Sequence, residues 1–407
     1  MIVTHINLNQ FRNYKEQEIA ASPGINVFFG DNAQGKTNIL EAVYLCTCAR
    51  SHRTAKDSDL ILRQTDHYAI KVDFKSCNGS SESVEIQYLD AVAGDEQRNR
   101  AIRHIYHNNM RLERISDLMG LFHAVIFAPE DLMLVKEGPA TRRRYLDLLI
   151  SQVRPSYFLH LQQFARILAQ RNKLLKDLRE QGFGRQKPLD EARKIQLDVW
   201  NDTLAKEGAA IITQRMCYSE RIAQIAMDAQ VSISSGKEQL YVKYRSITGL
   251  SPDKDENEIV SLYASKLKSM VCEDIEKGVT GQGPHRDDLD LSLDGSGLKP
   301  FASQGQQRSA VLALKLAELV ILKQDTGETP VFLLDDVMSE LDEKRRTSLL
   351  QNIDDAQVFV TCTDARQVYD EMIQKKAGDE GSKSERPYAF FKVENGQVSR
   401  QEIDLQA

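Results

Sequence analysis

Hydrophobic and polar positions alternate through the opening residues as in half-buried strands, and residues 24–29 form a β-branched and aromatic run that ends in a glycine-rich turn. A helix is predicted from about Asn38, because Ile39, Leu40, Val43 and Tyr44 fall on one stripe. Residues 68–74, 84–89 and 101–107 read as further strands, joined by polar turns at Asn78-Gly79 and Ala93-Gly94. From Arg142 to about Ala229 the period lengthens to that of a helix, carried by Leu146, Leu149 and Ile150, then Leu159, Phe164, Ile167 and Leu168, then Ile195 and Val199. One interruption, at residues 182–188, makes this block a helical hairpin or small bundle. Heptads are not sustained, which argues against a long coiled coil. A polar stretch over 251–258 leads into a helix near 259–275, and a strand pattern resumes at 289–293. A helix over 307–323, an apolar strand over 331–334, a helix over 343–353 and a strand over 358–361 complete the series. Strand and helix patterns alternate at both ends of the chain, so we expect an α/β head built from residues 1–141 and 271–407, with a helical arm over 142–270.

Composition narrows the class. The chain has 407 residues, 41% hydrophobic and 28% charged, the profile of a soluble globular protein. Its longest apolar runs, such as 311–322, are interrupted by Lys315 and Glu318 and are too short to cross a bilayer. The first residues carry neither a basic leader nor an apolar core, so no secretory signal is read and a cytoplasmic location is expected. Six scattered cysteines fit buried reduced thiols better than a disulfide framework. A net charge of −6 argues against bulk electrostatic coating of nucleic acid, but residues 151–200 hold ten basic against five acidic side chains. Any phosphate-binding surface is therefore local and expected in the N-terminal half.

The chemistry sits in three segments. Gly30-Asp31-Asn32-Ala33-Gln34-Gly35-Lys36-Thr37 follows a predicted strand and precedes a predicted helix, the context of a P-loop. Successive backbone N–H groups can curl around phosphates only through glycine conformations, and the helix N-terminus adds partial positive charge. Lys36 is then expected to reach the β and γ phosphates of ATP and the Thr37 hydroxyl to ligate Mg2+. Near the other end, the apolar strand ends in Asp335 and Asp336, the first expected to hold Mg2+ through water and the second to act as general base on the attacking water.

The third segment, Ala302-Ser303-Gln304-Gly305-Gln306-Gln307, opens a long apolar helix and resembles the signature sequence of ABC-type ATPases. That resemblance implies that Ser303, Gln304, Gly305 and Gln306 bind the γ-phosphate of ATP held by an opposite subunit. Residues 337–342 resemble the D-loop, with Asp336 in the place of the usual glutamate. No switch histidine stands in residues 358–364, where Thr361 or Thr363 would have to serve.

Roughly 270 residues separate the P-loop from the signature, and neither hundreds of residues of arm nor a CxxC hook is present. These features are similar to the SMC and RecF branch. Within it, five segments resemble the RecF family over essentially the whole chain: residues 11–14 (FRNY), 51–57 (SHRTAKD), 127–132 (FAPEDL), Arg142-Arg143-Arg144, and 283–288 (GPHRDD). The resemblance implies an ABC-type split ATPase head with a short helical arm, ATP and Mg2+ as cofactors, and an ATP-dependent homodimer that holds duplex and gapped DNA. It further implies action with RecR, RecO and RecA in DNA repair, replication and the SOS response. Read from the residues alone, Arg12 and Arg53 could contact ATP or DNA phosphates or form ion pairs, and Arg142, Arg143 and Arg144 could extend a phosphate-binding face. His285 and Arg286 fit a structural loop better than a contact surface. A transport ATPase, or a scaffold that binds ATP without turnover, are the rival classes.

Overall fold

The computed structural model describes residues 1–91, 100–184, 187–337, 345–346, 349, 353, 355–366 and 387–402. The expected Ala93-Gly94 turn, the D-loop positions 338–342 and most of the helix expected over 343–353 lie outside them. The chain forms two compact units: Met1–Met133 with Ile225–Gln239 and Ala302–Ala407, and Leu134–Gln224 with Leu240–Phe301.

Among the described residues the first unit contains two six-stranded sheets. One follows the order Gln397–Gln401, Tyr388–Glu394, Ile25–Phe29, Val358–Cys362, Val331–Leu334, Ala124–Phe127. All of its neighbouring strands run parallel except the antiparallel first pair. Its central strands are near-continuous apolar runs, as strands covered on both faces must be. The second sheet is antiparallel throughout, in the order Tyr14–Ala20, Ile2–Phe11, His67–Lys75, Ser81–Leu89, Ile102–His107, Met110–Leu112. Here alternation marks one buried face: Tyr68, Ile70, Val72 and Phe74 point inward.

Between the sheets runs the helix Lys36–Cys48, which packs on strands of both. Eleven of its thirteen residues are buried, so the single stripe expected from sequence is only part of its apolar surface. It begins two residues earlier than predicted, directly after the left-handed Gly35. A second helix, Gln304–Thr326, buries Ala310–Ala317 and Leu319 and also packs on Ala124–Phe127.

The second unit is mainly helical. Pro139–Val153 and Pro155–Glu180 are separated only by Arg154, each with proline in its first turn, where the missing N–H costs nothing. The described residues between Glu180 and Glu191 then interrupt the block where a break was expected over 182–188, before the 43-residue helix Glu191–Ile233. Leu175, Leu178, Phe183, Leu197 and Ile275 form one of its apolar clusters. Where one helix was expected over 259–275 there are two, Glu256–Ser269 and Val271–Lys277, divided at Met270. A three-stranded antiparallel sheet joins Ser296–Gly297, Asp288–Leu293 and Leu240–Arg245. That pairing draws residues 271–301, expected with the head, into the second unit, while residues 225–239 pack with the first.

Candidate nucleotide-binding site

The parallel strands bring their C-terminal ends to one edge, where ligand crevices of open α/β sheets form. Register does the rest: Phe29 pairs with Cys362, and Leu334 with Val360, so the residues that follow each strand converge. A polar cleft of about 300 Å³ opens there, lined by Asn32, Ala33, Gly35, Lys36, Thr37, Asn38, Arg53, Asp336 and Thr361. Gly30, Asp31 and Gln34 complete the loop around it. Lys36 Nζ donates to the carbonyls of Gly30 at 2.7 Å and Asp31 at 2.9 Å, which folds the loop about its ammonium group.

At the acidic end one carboxylate oxygen gathers two hydroxyls. Thr37 Oγ1 and Thr361 Oγ1 each donate to Asp335 Oδ1 at 2.8 Å. Asp335 is 3% exposed, and burial raises its carboxyl above the usual range while the two hydroxyls oppose the shift. A buried carboxylate beside a threonine hydroxyl is a hard-oxygen pair that suits Mg2+. Asp336 has a left-handed backbone, φ +55°, and its N–H donates to Thr361 Oγ1 at 2.8 Å. Of the two threonines considered for the missing histidine, Thr361 lines the cleft and the exposed Thr363 does not.

Arg53 faces the cleft beside Asn38 Oδ1 at 3.1 Å and pairs with Glu41 at 3.7 Å and Glu130 at 3.4 Å. Arg12 makes a bidentate pair with the fully buried Glu41 at 2.8 and 2.9 Å and donates to the Asp59 carbonyl. Arg12 therefore forms an ion pair, though with a buried carboxylate rather than at the surface as expected of such a pair. Sequence reasoning did not name Glu41, whose position four residues after Thr37 puts it on the adjacent helical turn.

Ser303 caps the helix Gln304–Thr326 in a reciprocal box: its N–H donates to Gln306 Oε1 at 2.9 Å and its Oγ accepts from Gln306 N at 3.3 Å. Ser303 and Gln304 are exposed, Gly305 and Gln306 half-buried, and none of the four lines the cleft described above. The signature and the P-loop of one chain are thus not brought together in that cleft.

The arginine run is placed within the second unit. Arg142 makes a bidentate pair with Asp288 at 2.7 and 3.0 Å and donates to the carbonyls of Leu134 and Glu137, while Arg143 donates to the Asp287 carbonyl at 2.7 Å. Arg144 is the exposed member. Residues 283–288 form the loop these arginines hold: Arg215 donates to Pro284 O and to Asp287, Tyr244 donates to Asp287, and His285 meets Thr280 O. Burial lowers His285 to about 4, so it sits there neutral. The structural-loop reading fits His285 in this packing, whereas the Arg286 side chain is exposed.

Of the cysteines, Cys46, Cys48 and Cys362 are buried as expected, whereas Cys77, Cys217 and Cys272 are exposed. Among the described residues no group of three or more His, Cys, Asp or Glu is placed to hold a metal. Nor is any described helix long and apolar enough to cross a membrane.

A P-loop after the first strand of a parallel sheet, an acidic strand two places away and a capped signature helix define an ATPase head of the SMC class. The RecF/RecN/SMC N terminal domain family matches residues 2–379, and the Smc head domain from Pyrococcus furiosus superposes with a TM-score of 0.52 at 14% identity, over 100% of this chain and 97% of that one. More similar still is the DNA replication and repair protein RecF of Ruminiclostridium cellulolyticum, 42% identical over 363 residues, 89% of this chain and 93% of that protein. The RecF of Clostridium beijerinckii is 38% identical over 98% of this chain and 99% of its own length. A solved structure of the recombination mediator protein RecF with ATP, in the RecFOR pathway, gives a TM-score of 0.83 at 33% identity over 98% of both chains. The chain belongs to the RecF family.

Proposed function

We propose that this protein is an ATP-dependent DNA-binding protein of replication and recombinational repair, acting as a homodimer that closes on ATP and holds duplex DNA at single-strand gaps. The observation that carries the reading is the division of its phosphate-binding parts: Lys36, Thr37, Asp336 and Thr361 share a cleft, while the exposed, capped Ser303 does not line it. Two copies, each offering Ser303 and Gly305 to the other's cleft, complete both sites. The relatives named for DNA replication and repair, and the RecF structure with ATP, support the same reading.

In this mechanism the backbone of Gly30–Gly35 cradles the phosphates and Lys36 turns from the loop carbonyls toward them, while Thr37, and Asp335 through water, would hold Mg2+. When bound, that ion neutralises phosphate charge and orients the oxygens of the transferring group. Asp336, held by the Thr361 hydroxyl, orients the attacking water. Its side chain is one methylene shorter than glutamate, so turnover is slow and hydrolysis works as a switch that releases DNA.

For DNA we assign phosphate contacts to the exposed Arg144 and to Arg53, with Arg166, Lys173 and Lys176 as further exposed cations along one face of Pro155–Glu180. Such contacts give salt-sensitive, sequence-independent binding. RecR, RecO and RecA are the expected partners. Sedimentation of the chain with and without ATP and gapped duplex DNA tests the proposal. A monomer–dimer shift that needs ATP, and its loss in Lys36→Met, is the expected result; an ATP-independent oligomer or retained dimerisation in that variant would refute it.

A further inference from the structure

The phosphate loop is gripped from outside by residues that do not line the cleft and that come from both ends of the chain. Asn13 Nδ2 donates to the Gln34 carbonyl at 2.8 Å, and Asn13 Oδ1 accepts from Asn38 Nδ2 at 2.8 Å. Tyr14, fully buried, donates its hydroxyl to the Gly35 carbonyl at 3.0 Å. Burial raises that phenol above its ordinary range, so it stays a neutral donor. From the other end, the hairpin of Tyr388–Glu394 and Gln397–Gln401 meets the loop at its tip, where Asn395 N donates to Gln34 Oε1 at 2.6 Å. Its second strand is tied to Gln17, whose side chain exchanges two hydrogen bonds with the Val398 backbone at 2.8 and 3.2 Å.

Space is as restrictive as bonding. Gly35 has φ +116°, and a Cβ there would stand 2.5 to 2.8 Å from the Asn13 amide and the Tyr14 hydroxyl. At Gly396, φ +71°, a Cβ would lie 2.2 Å from the Asn13 carbonyl oxygen, a backbone atom with little freedom to yield. The turn at Asn13, the loop at Gln34-Gly35 and the tip at Asn395-Gly396 therefore interlock. A loop whose N–H groups must converge on an anion loses less freedom on binding when its shape is already fixed.

We propose that Asn13, Tyr14 and the Asn395-Gly396 turn are positioning residues for the nucleotide, forming a bracket that holds the phosphate loop in its anion-cradling shape before nucleotide arrives. The inference rests on the nucleotide-binding reading above and adds to it a dependence of ATP affinity on the C-terminal hairpin. None of these groups touches phosphate. Their effect passes through the carbonyls of Gln34 and Gly35 and the side chain of Gln34.

The test is titration of the full chain with a fluorescent ATP analogue and Mg2+, beside amide exchange over residues 33–37 without nucleotide. Asn13→Ala and Gly396→Ala should each weaken binding about tenfold, and Tyr14→Phe about fivefold, the scale of one or two lost hydrogen bonds. Exchange across the loop should quicken in the same variants. Gly79→Ala is the control: it has a comparable left-handed backbone, φ +83°, with nothing within 4 Å of the added Cβ, and should leave affinity unchanged. Folded variants that bind within twofold of the parent and exchange at its rate would overturn the bracket alone. Absence of binding by the parent chain would overturn the bracket and the nucleotide reading together. Should Gly396→Ala fail to fold, Asn13→Ala and Tyr14→Phe decide the question.

Discussion

Arg142 separates two accounts of the arginine run, because a phosphate contact and an internal clamp respond oppositely to substitution. Its guanidinium holds both oxygens of Asp288 at 2.7 and 3.0 Å and two backbone carbonyls besides, with the paired side chains only 13% and 14% exposed. Removing one partner of a fully buried pair costs about 3–5 kcal/mol, because the other charge is stranded. Discounted for partial exposure, Arg142→Ala should cost about 2–3 kcal/mol. With a urea slope of about 2–3 kcal/mol per molar, the unfolding midpoint moves down by about 1 M. Arg142→Lys should recover little of this, since an ammonium cannot replace the planar fork. The assay is urea denaturation followed by far-UV circular dichroism, paired with DNA affinity by fluorescence anisotropy over a series of salt concentrations. Stability should fall in both variants while the salt slope of DNA binding stays that of the parent. A slope reduced by about 0.9 with the midpoint unmoved would refute the clamp and make Arg142 a phosphate contact.

Arg144→Ala should do the reverse, reducing the salt slope of DNA binding by about one unit with less than 0.5 kcal/mol change in stability, measured by the same two assays. Ser303→Arg should leave binding of a fluorescent ATP analogue by the monomer intact and abolish ATP-dependent dimerisation in sedimentation; surviving dimers would remove the case for a site completed in trans. Asp336→Asn should accumulate an ATP-bound dimer, seen as slower dissociation after excess ADP is added. His123 is 2% exposed and held down to about 4 by burial, so between that value and the ordinary 6.5 the unfolded chain binds a proton that the folded chain does not. Stability contributed by the neutral ring is therefore complete above about pH 6.5 and declines as pH falls toward 4, by about 2 kcal/mol at pH 5. Thermal melts of His123→Leu against the parent over pH 5–7 should show a shallower acid slope in the variant, and identical slopes would contradict it.

The parts of the site that were legible in the sequence are those whose chemistry constrains neighbouring residues. Gly30 to Thr37 must carry glycine, lysine and threonine at fixed offsets, and the strand before Asp335 must be apolar because both its faces are covered. Partnerships across the chain leave no such trace. Nothing local to Arg142 indicates Asp288, 146 positions away, and nothing near Gln34 indicates Asn395, 361 positions away. The strand Leu240–Arg245 was missed because, among the described residues, it pairs only with Asp288–Leu293, which is distant in sequence. Periodicity reports burial, whereas the choice of partner is made by the folded sheet.

This division has a mechanical consequence for the cleft. Its floor comes from strands at Ile25–Phe29, Val331–Leu334 and Val358–Cys362, so the edge that carries the cleft exists only after segments about 300 residues apart have paired. Phe28 stacks between Phe359 and Phe391, at 6.1 and 5.0 Å between ring centroids, which ties the P-loop strand to both of its neighbours in one apolar row. Displacement of the strand Tyr388–Glu394 would therefore loosen Phe28 and withdraw the Asn395-Gly396 tip from the loop in the same movement. Nucleotide affinity in this head should consequently follow the integrity of the chain's last strands as closely as that of the phosphate loop itself.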